Sequence, residues 1–312
     1  MSQGICCCHR PLPTTEQDCS SARREREEAA HLAGLPPVYA VALAKKTARH
    51  ISIHNLRGRR SCHGYAYSLA GWLLLSRHTV GALENGTLSC NLSSAYQDYF
   101  WKGCMPGAEG NLCKVCIGQQ EMERGKDSSR CAANHDERYY GNMGALRCLL
   151  GDPSGRSFGD VAFLEHHNLL QNIDYLERSG WATGGAPNDL ELLCPDGSRA
   201  AVADWKTCTL GPVPPNIVVT RPAAAAKVYK FLMKSQEASR SSPFQLFQSQ
   251  KYGDRDLLFK DSTQHLLPTS HLGYEAILGI SFWQLAESIF NCTPVGILDF
   301  CKQDPCAYSA PH

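Results

Sequence analysis

Val38-Tyr39-Ala40-Val41-Ala42-Leu43-Ala44 is the stretch on which the fold turns. It carries no charge, is too short for a typical buried helix, and reads as a buried strand. Pro36-Pro37 immediately before it marks a boundary. Working outward, Asp160–Leu164, Leu190–Cys194 and Ile217–Thr220 read as further strands. Ser68–Leu75, Gly144–Leu150 and Lys227–Ser239 read as helices, His54–Gly58 as a turn or short helix, and Tyr274–Ile289 as helix-compatible segments. Pro222-Ala223-Ala224-Ala225-Ala226 reads as a turn leading into the Lys227 helix. Asn85–Ser94 reads as a loop, and Cys104–Cys131 as a knot rich in glycine and cysteine. Strands separated by helical stretches predict an α/β protein with a mixed sheet.

A chain of 312 residues, 43% hydrophobic and 20% charged, is large enough for one big domain or two ordinary ones with a true core. Its net charge of +1 gives no general attraction to nucleic acid or to an anionic membrane. No run of apolar residues reaches the length of a transmembrane helix, so no span is expected. Sixteen cysteines point to disulfides and an oxidising compartment. The sequons at Asn85, Asn91 and Asn291 agree with secretion. Residues 1–37, by contrast, hold no apolar leader core. They are expected to be an atypical or mispredicted start, disordered or helical. Cys6-Cys7-Cys8 within them offers a palmitoylation site without a companion lipidation motif.

Several local constellations were weighed. Cys113-Lys114-Val115-Cys116 suits half of a zinc clip completed by Cys104, Cys131 or His135, a redox pair, or structural disulfides. Ser61-Cys62-His63 does not make a nucleophile–base pair, because adjacent side chains cannot easily turn onto each other. His166-His167 belongs to no metal-binding array. Asp254, Asp256 and Asp261 lack the spacing of a calcium loop and read as a solvated segment. No phosphate-binding loop, dinucleotide fingerprint or nucleophile elbow occurs. Nothing therefore predicts an enzyme.

The ordered motifs carry more. They include Leu56-Arg57-Gly58-Arg59-Arg60-Ser61-Cys62-His63, Ala70-Gly71-Trp72, Gly103-Cys104-Met105-Pro106-Gly107 and Leu112-Cys113-Lys114-Val115-Cys116. Arg138-Tyr139-Tyr140-Gly141, Gly159-Asp160-Val161-Ala162-Phe163, Glu191-Leu192-Leu193-Cys194 and Asp256-Leu257-Leu258-Phe259-Lys260-Asp261 follow. From about Val38 to Cys292 this series resembles the transferrin family, and within it the otolith-matrix and melanotransferrin branches. The resemblance implies a lobe like a periplasmic binding protein, with two α/β domains of mixed sheets and two crossing strands as hinge. Those strands would be Val38–Ala42 and Asn216–Thr220. Residues 38–220 would form the complete second domain, 221–292 the remainder of a truncated first domain, and 293–312 a tail. The resemblance also implies bridges Cys62–Cys148, Cys90–Cys292, Cys104–Cys116, Cys113–Cys131 and Cys194–Cys208.

The family binds ferric iron through two tyrosines, an aspartate and a histidine, with carbonate held by an arginine and a threonine at a helix N-terminus. Here the tyrosine positions hold Val38 and Asn142, the histidine position Asn216, the threonine position Gly64 and the arginine position Ser68. The aspartate has no counterpart. Tyr39 should face away from Val38 by strand alternation, and Tyr65 and Tyr67 should pack as cleft aromatics. Hard ferric iron needs anionic oxygen and imidazole donors, so no iron, carbonate or other cofactor is expected. The expected protein is a secreted, monomeric, non-transporting glycoprotein of extracellular or otolith-type matrix, with a matrix or protein partner. An iron carrier and a protein-binding module using the interdomain cleft are the alternatives.

Overall fold

The computed structural model describes residues 38–80, 92–119, 129–151, 155, 157–181, 187–253, 257–261, 263–267, 269 and 277–290. Two compact units result. The described residues within 36–215 and 281–290 make the first, and those within 216–280 the second.

The opening apolar run becomes β1 (Val38–Lys45), an inner strand of the first unit. The other strands there are β2 (Arg60–His63), β3 (Lys102–Cys104), β4 (Val161–Glu165), β5 (Leu190–Leu193), β6 (Arg199–Ala201) and β7 (Gly211–Val213). They form a sheet in the order β3-β2-β4-β1-β5-β6, with β7 also paired to β1. β2 runs parallel to both β3 and β4, whereas β1 is antiparallel to β4, β5 and β7. The sheet is thus mixed, as the strand–helix alternation predicts.

Alternation along β1 divides the core. Val41 and Leu43 join the layer beneath helices α2 (Gly141–Leu150) and α3 (Leu169–Arg178), packed with Leu146, Leu149, Ile173 and Leu176. Leu169, Ile173 and Leu176 lie one and two turns apart, which presents one apolar stripe to the sheet. On the opposite face the rings of His63, Tyr96, Phe100 and Phe163 stand 5.3–6.1 Å apart, centroid to centroid. Tyr96 comes from helix α1 (Leu92–Tyr99). Gly144 is obligatory where α2 passes its own N-terminal loop, because a Cβ there would lie 2.1 Å from the carbonyl carbon of Tyr139.

Four bridges form in the first unit: Cys62–Cys148, Cys104–Cys116, Cys113–Cys131 and Cys194–Cys208. Cys90–Cys292 and the three sequons lie outside the described residues. The sulfurs of the Cys-x-x-Cys segment are therefore joined in bridges, and neither the zinc nor the redox alternative describes this oxidised state.

In the second unit α4 (Pro222–Ser239) begins at Pro222, whose fixed φ suits a first helical position. Pro222–Ala226 is therefore the first turns of the helix and not a turn before it. Gln236 accepts from the Leu266 N–H and donates to the Leu266 carbonyl (3.2 Å), and the Ser249 N–H donates to Asp261 Oδ1 (2.8 Å). The expected hinge strand Asn216–Thr220, with the predicted strand Ile217–Thr220 inside it, belongs to no strand. Its Ile217, Val218 and Val219 are 37%, 48% and 40% exposed. β-Branched residues favour a strand only when another strand receives their backbone, and among the described residues none pairs with them. The last helix, α5 (Ile280–Phe290), also differs from the expected grouping of 221–292. Residues 281–290 belong with the first unit, where Phe282, Leu285, Ala286 and Ile289 are buried and Arg77 donates to the Ser281 carbonyl. Among the described residues no helix is long and apolar enough to cross a membrane.

Candidate functional site

The positions Gly64, Ser68 and Asn142 lie where β2 ends, where a short helical segment Leu69–Leu73 starts, and where α2 starts. Ser68 caps Leu69–Leu73, and its buried hydroxyl meets no hydrogen-bond partner. The Gly141 N–H donates to the Gly64 carbonyl at 2.9 Å and brings the two segments together. A Cβ at Gly64 would touch nothing nearer than 3.6 Å, so the missing side chain leaves room behind.

Asn142 is the second residue of α2, and both ends of its amide are bonded to Glu165. Its Nδ2 donates to Glu165 Oε2 at 3.0 Å, and its Oδ1 accepts the Glu165 N–H at 3.1 Å. Glu165 Oε2 also lies 3.3 Å from His167 Nδ1. The polar group at this helix start is therefore a carboxylate held by an amide, which opposes an incoming anion. Burial, and then the Glu165 charge, raise the Tyr65 pKa, so its phenolate is disfavoured. Its ring stacks on Tyr140 at 5.3 Å.

Tyr67 occupies the third position of a turn closed by the Ser68 N–H to the Tyr65 carbonyl (3.2 Å). Its φ of 67° is a conformation that glycine adopts freely and a bulky residue does not. The residue is 65% exposed, and its ring leans on Trp72 at 4.9 Å.

Val38 is half-buried opposite Val213 and offers only methyl groups. Tyr39 shares a face with Val41, packing against His166 and Trp205 at 5.8 and 5.7 Å. His166 accepts the Tyr39 N–H at Nδ1 (2.8 Å) and stacks on Trp205 at 3.8 Å, a packing role. Gly64, Ser68 and Asn142 are thus brought together. Asn216 is exposed at the start of the second unit.

Sequence reasoning overlooked Glu137. It is 1% exposed and accepts four backbone N–H bonds: Ile117 (3.2 Å) and Tyr139 (2.9 Å) at Oε1, Gly118 (2.9 Å) and Cys131 (2.8 Å) at Oε2. Its position in the polar run Asp136-Glu137-Arg138 gives no sign of this. One of its oxygens lies within 4.8 Å of both sulfurs of the Cys104–Cys116 bridge. His63 was set aside as a base, and the structure shows it buried: Nδ1 lies 2.6 Å from the Gly71 carbonyl, and burial lowers its pKa to about 4.

A mixed sheet with helix starts gathered at one end defines one unit of an α/β binding lobe. The family model described as Transferrin matches residues 34–289, and the chain belongs to the transferrin family. It is 36% identical over 272 residues to ovotransferrin of Gallus gallus, covering 85% of this chain and 36% of that protein. It is 34% identical over 282 residues to melanotransferrin of Homo sapiens, covering 88% of this chain and 36% of that protein. With otolith matrix protein 1 of Oncorhynchus mykiss it shares 36% over 272 residues, 81% of this chain and 69% of the relative. The chain spans 36% of the length of the first two relatives.

Proposed function

We propose that this chain is an extracellular, glycosylated, disulfide-braced member of the family that has given up ferric transport for a matrix or binding role. The observation that carries the reading is the closed Asn142–Glu165 pair. A neutral amide stands at the tyrosine position and bonds a neighbour through both its nitrogen and its oxygen. Valine at 38, glycine at 64 and serine at 68 add no anionic or cationic group, so nothing offsets the dehydration of a trivalent ion or grips carbonate. These residues do not fit the iron–carbonate pair. Asn216, also neutral, agrees with the reading from the other unit.

Likeness to otolith matrix protein 1 supports a matrix role beside calcium carbonate mineral, with a matrix protein as partner. Conditioned medium from cells expressing the chain tests this. The expected product is secreted, shifts on glycosidase treatment, and co-sediments with calcium carbonate. Retention in the cytosol without glycan would contradict the proposal. A protein-binding module is the second reading, favoured by Tyr67, whose strained backbone holds an exposed ring outward.

A further inference from the structure

Cationic side chains gather where the turn before β2 meets the segment joining α1 to β3. Arg57-Gly58-Arg59-Arg60 and Tyr99-Phe100-Trp101-Lys102 lie side by side there. The Gly58 N–H donates to the Tyr99 carbonyl at 2.8 Å, and the Trp101 N–H donates to the Arg59 carbonyl at 3.1 Å. Gly58, at φ 73°, makes the turn that sets an arginine on either side of it. Asn111 Nδ2 donates to the carbonyls of Gln97, Phe100 and Trp101 at 2.8, 2.9 and 3.2 Å. The backbone is thus fixed before a ligand arrives, which lowers the ordering cost of binding.

The cations rest on rings and not on carboxylates. The Arg57 guanidinium lies 4.9 Å from the centre of the Tyr99 ring, and the Lys102 ammonium lies 4.1 Å from that of Trp101. Arg59 Nε donates to the neutral Asn55 carbonyl at 3.4 Å. Arg60, opposite Lys102 in the β2–β3 register, forks onto Asp160 at 2.6 and 3.1 Å and so is neutralised. Among the described residues no carboxylate forms an ion pair with Arg57, Arg59 or Lys102. Trp101, just before the edge strand β3, is 60% exposed. Three cations without a carboxylate and an exposed tryptophan therefore share one rigid edge, in a chain whose net charge is only +1.

We propose that this edge binds a sulfated polysaccharide chain. Guanidinium forks and a lysine ammonium suit sulfate oxygens. The electron-rich face of an indole receives the C–H groups of a sugar ring. The four bridges fit an oxidising compartment. Outside the cell the abundant polyanions are sulfated polysaccharides, so the choice of polymer rests on the extracellular reading above, whereas the edge does not.

The test titrates the full chain, with its bridges intact, with a heparin oligosaccharide by calorimetry at several salt concentrations. Saturable binding that weakens as salt rises is expected, and desulfated heparin should not reproduce it. R57Q/K102Q should lose at least about tenfold in affinity and show a flatter salt dependence. W101A should lose about threefold or more with the salt dependence unchanged. None of these three residues is buried, so the variants should fold as the parent does. K227Q/K230Q removes the same charge from α4 in the second unit and should leave the affinity unchanged. No binding of heparin, an equal loss in K227Q/K230Q, or equally tight binding of polyglutamate, single-stranded DNA or anionic vesicles would each overturn the proposal. Secretion is read separately in conditioned medium, so a secreted chain that ignores heparin would refute the edge and leave the extracellular reading standing.

Discussion

Replacing Glu137 by glutamine changes one oxygen into an NH2 group and leaves the shape intact. Each carboxylate oxygen receives two backbone N–H bonds: Ile117 and Tyr139 on one side, Gly118 and Cys131 on the other. Whichever way the amide turns, two buried N–H groups then face another donor. A buried donor left without an acceptor costs about 1–3 kcal/mol, so E137Q should destabilise the oxidised first unit by about 2–6 kcal/mol. Equilibrium urea unfolding at neutral pH, followed by tryptophan fluorescence with all bridges intact, reads this as a lower midpoint at unchanged slope. A loss below about 1 kcal/mol would refute the reasoning, because it would mean that the four amides find other acceptors.

The remaining predictions rest on separate features. His63 has a folded pKa of about 4 against an ordinary 6.5, since burial favours its neutral form. Its stabilising difference is therefore complete above pH 6.5 and is lost as pH falls from 6.5 to 4, by about 3 kcal/mol. H63F should flatten that slope in acid-unfolding curves, and an unchanged slope would exclude His63 as its source. G144A should cost at least about 3 kcal/mol or prevent folding, because its Cβ would meet backbone at 2.1 Å. Read beside G144A in thermal melts, G64T should stay within about 1 kcal/mol of the parent, given its 3.6 Å clearance. Equal effects of the two would refute this reading of the site. Removing the Cys62–Cys148 bridge, which spans 86 residues, with paired alanines should cost about 4 kcal/mol by urea unfolding. A loss under about 1 kcal/mol would show that the unfolded variant keeps the loop nearly closed without the bridge.

Much of the first unit was legible because its signals are local. The uncharged run at Val38–Ala44, the helix at Gly144–Leu150 and the strands near Asp160 and Leu190 needed only composition and period. The bridges followed from family likeness alone. What escaped depends on neighbours distant in sequence. Arg60–His63 carries no strand period, yet pairing with β3 and β4 makes it a central strand. The α3 stripe of Leu169, Ile173 and Leu176 is apolar at helical spacing but was masked by the polar residues between. Ile217–Thr220 has strand composition, and among the described residues no strand pairs with it. At the site, the identities of Val38, Gly64, Ser68 and Asn142 could be read from the sequence. The partner that closes Asn142 could not, because Glu165 is 23 residues away and meets it only through the β4–α2 packing.

The most direct measurement of the central claim is an optical titration with ferric citrate in the presence of bicarbonate. With neutral residues at 38, 142 and 216, the protein should develop no tyrosinate-to-iron absorption in the visible and should retain no iron after desalting. A stoichiometric band, or iron that stays with the protein, would contradict the account.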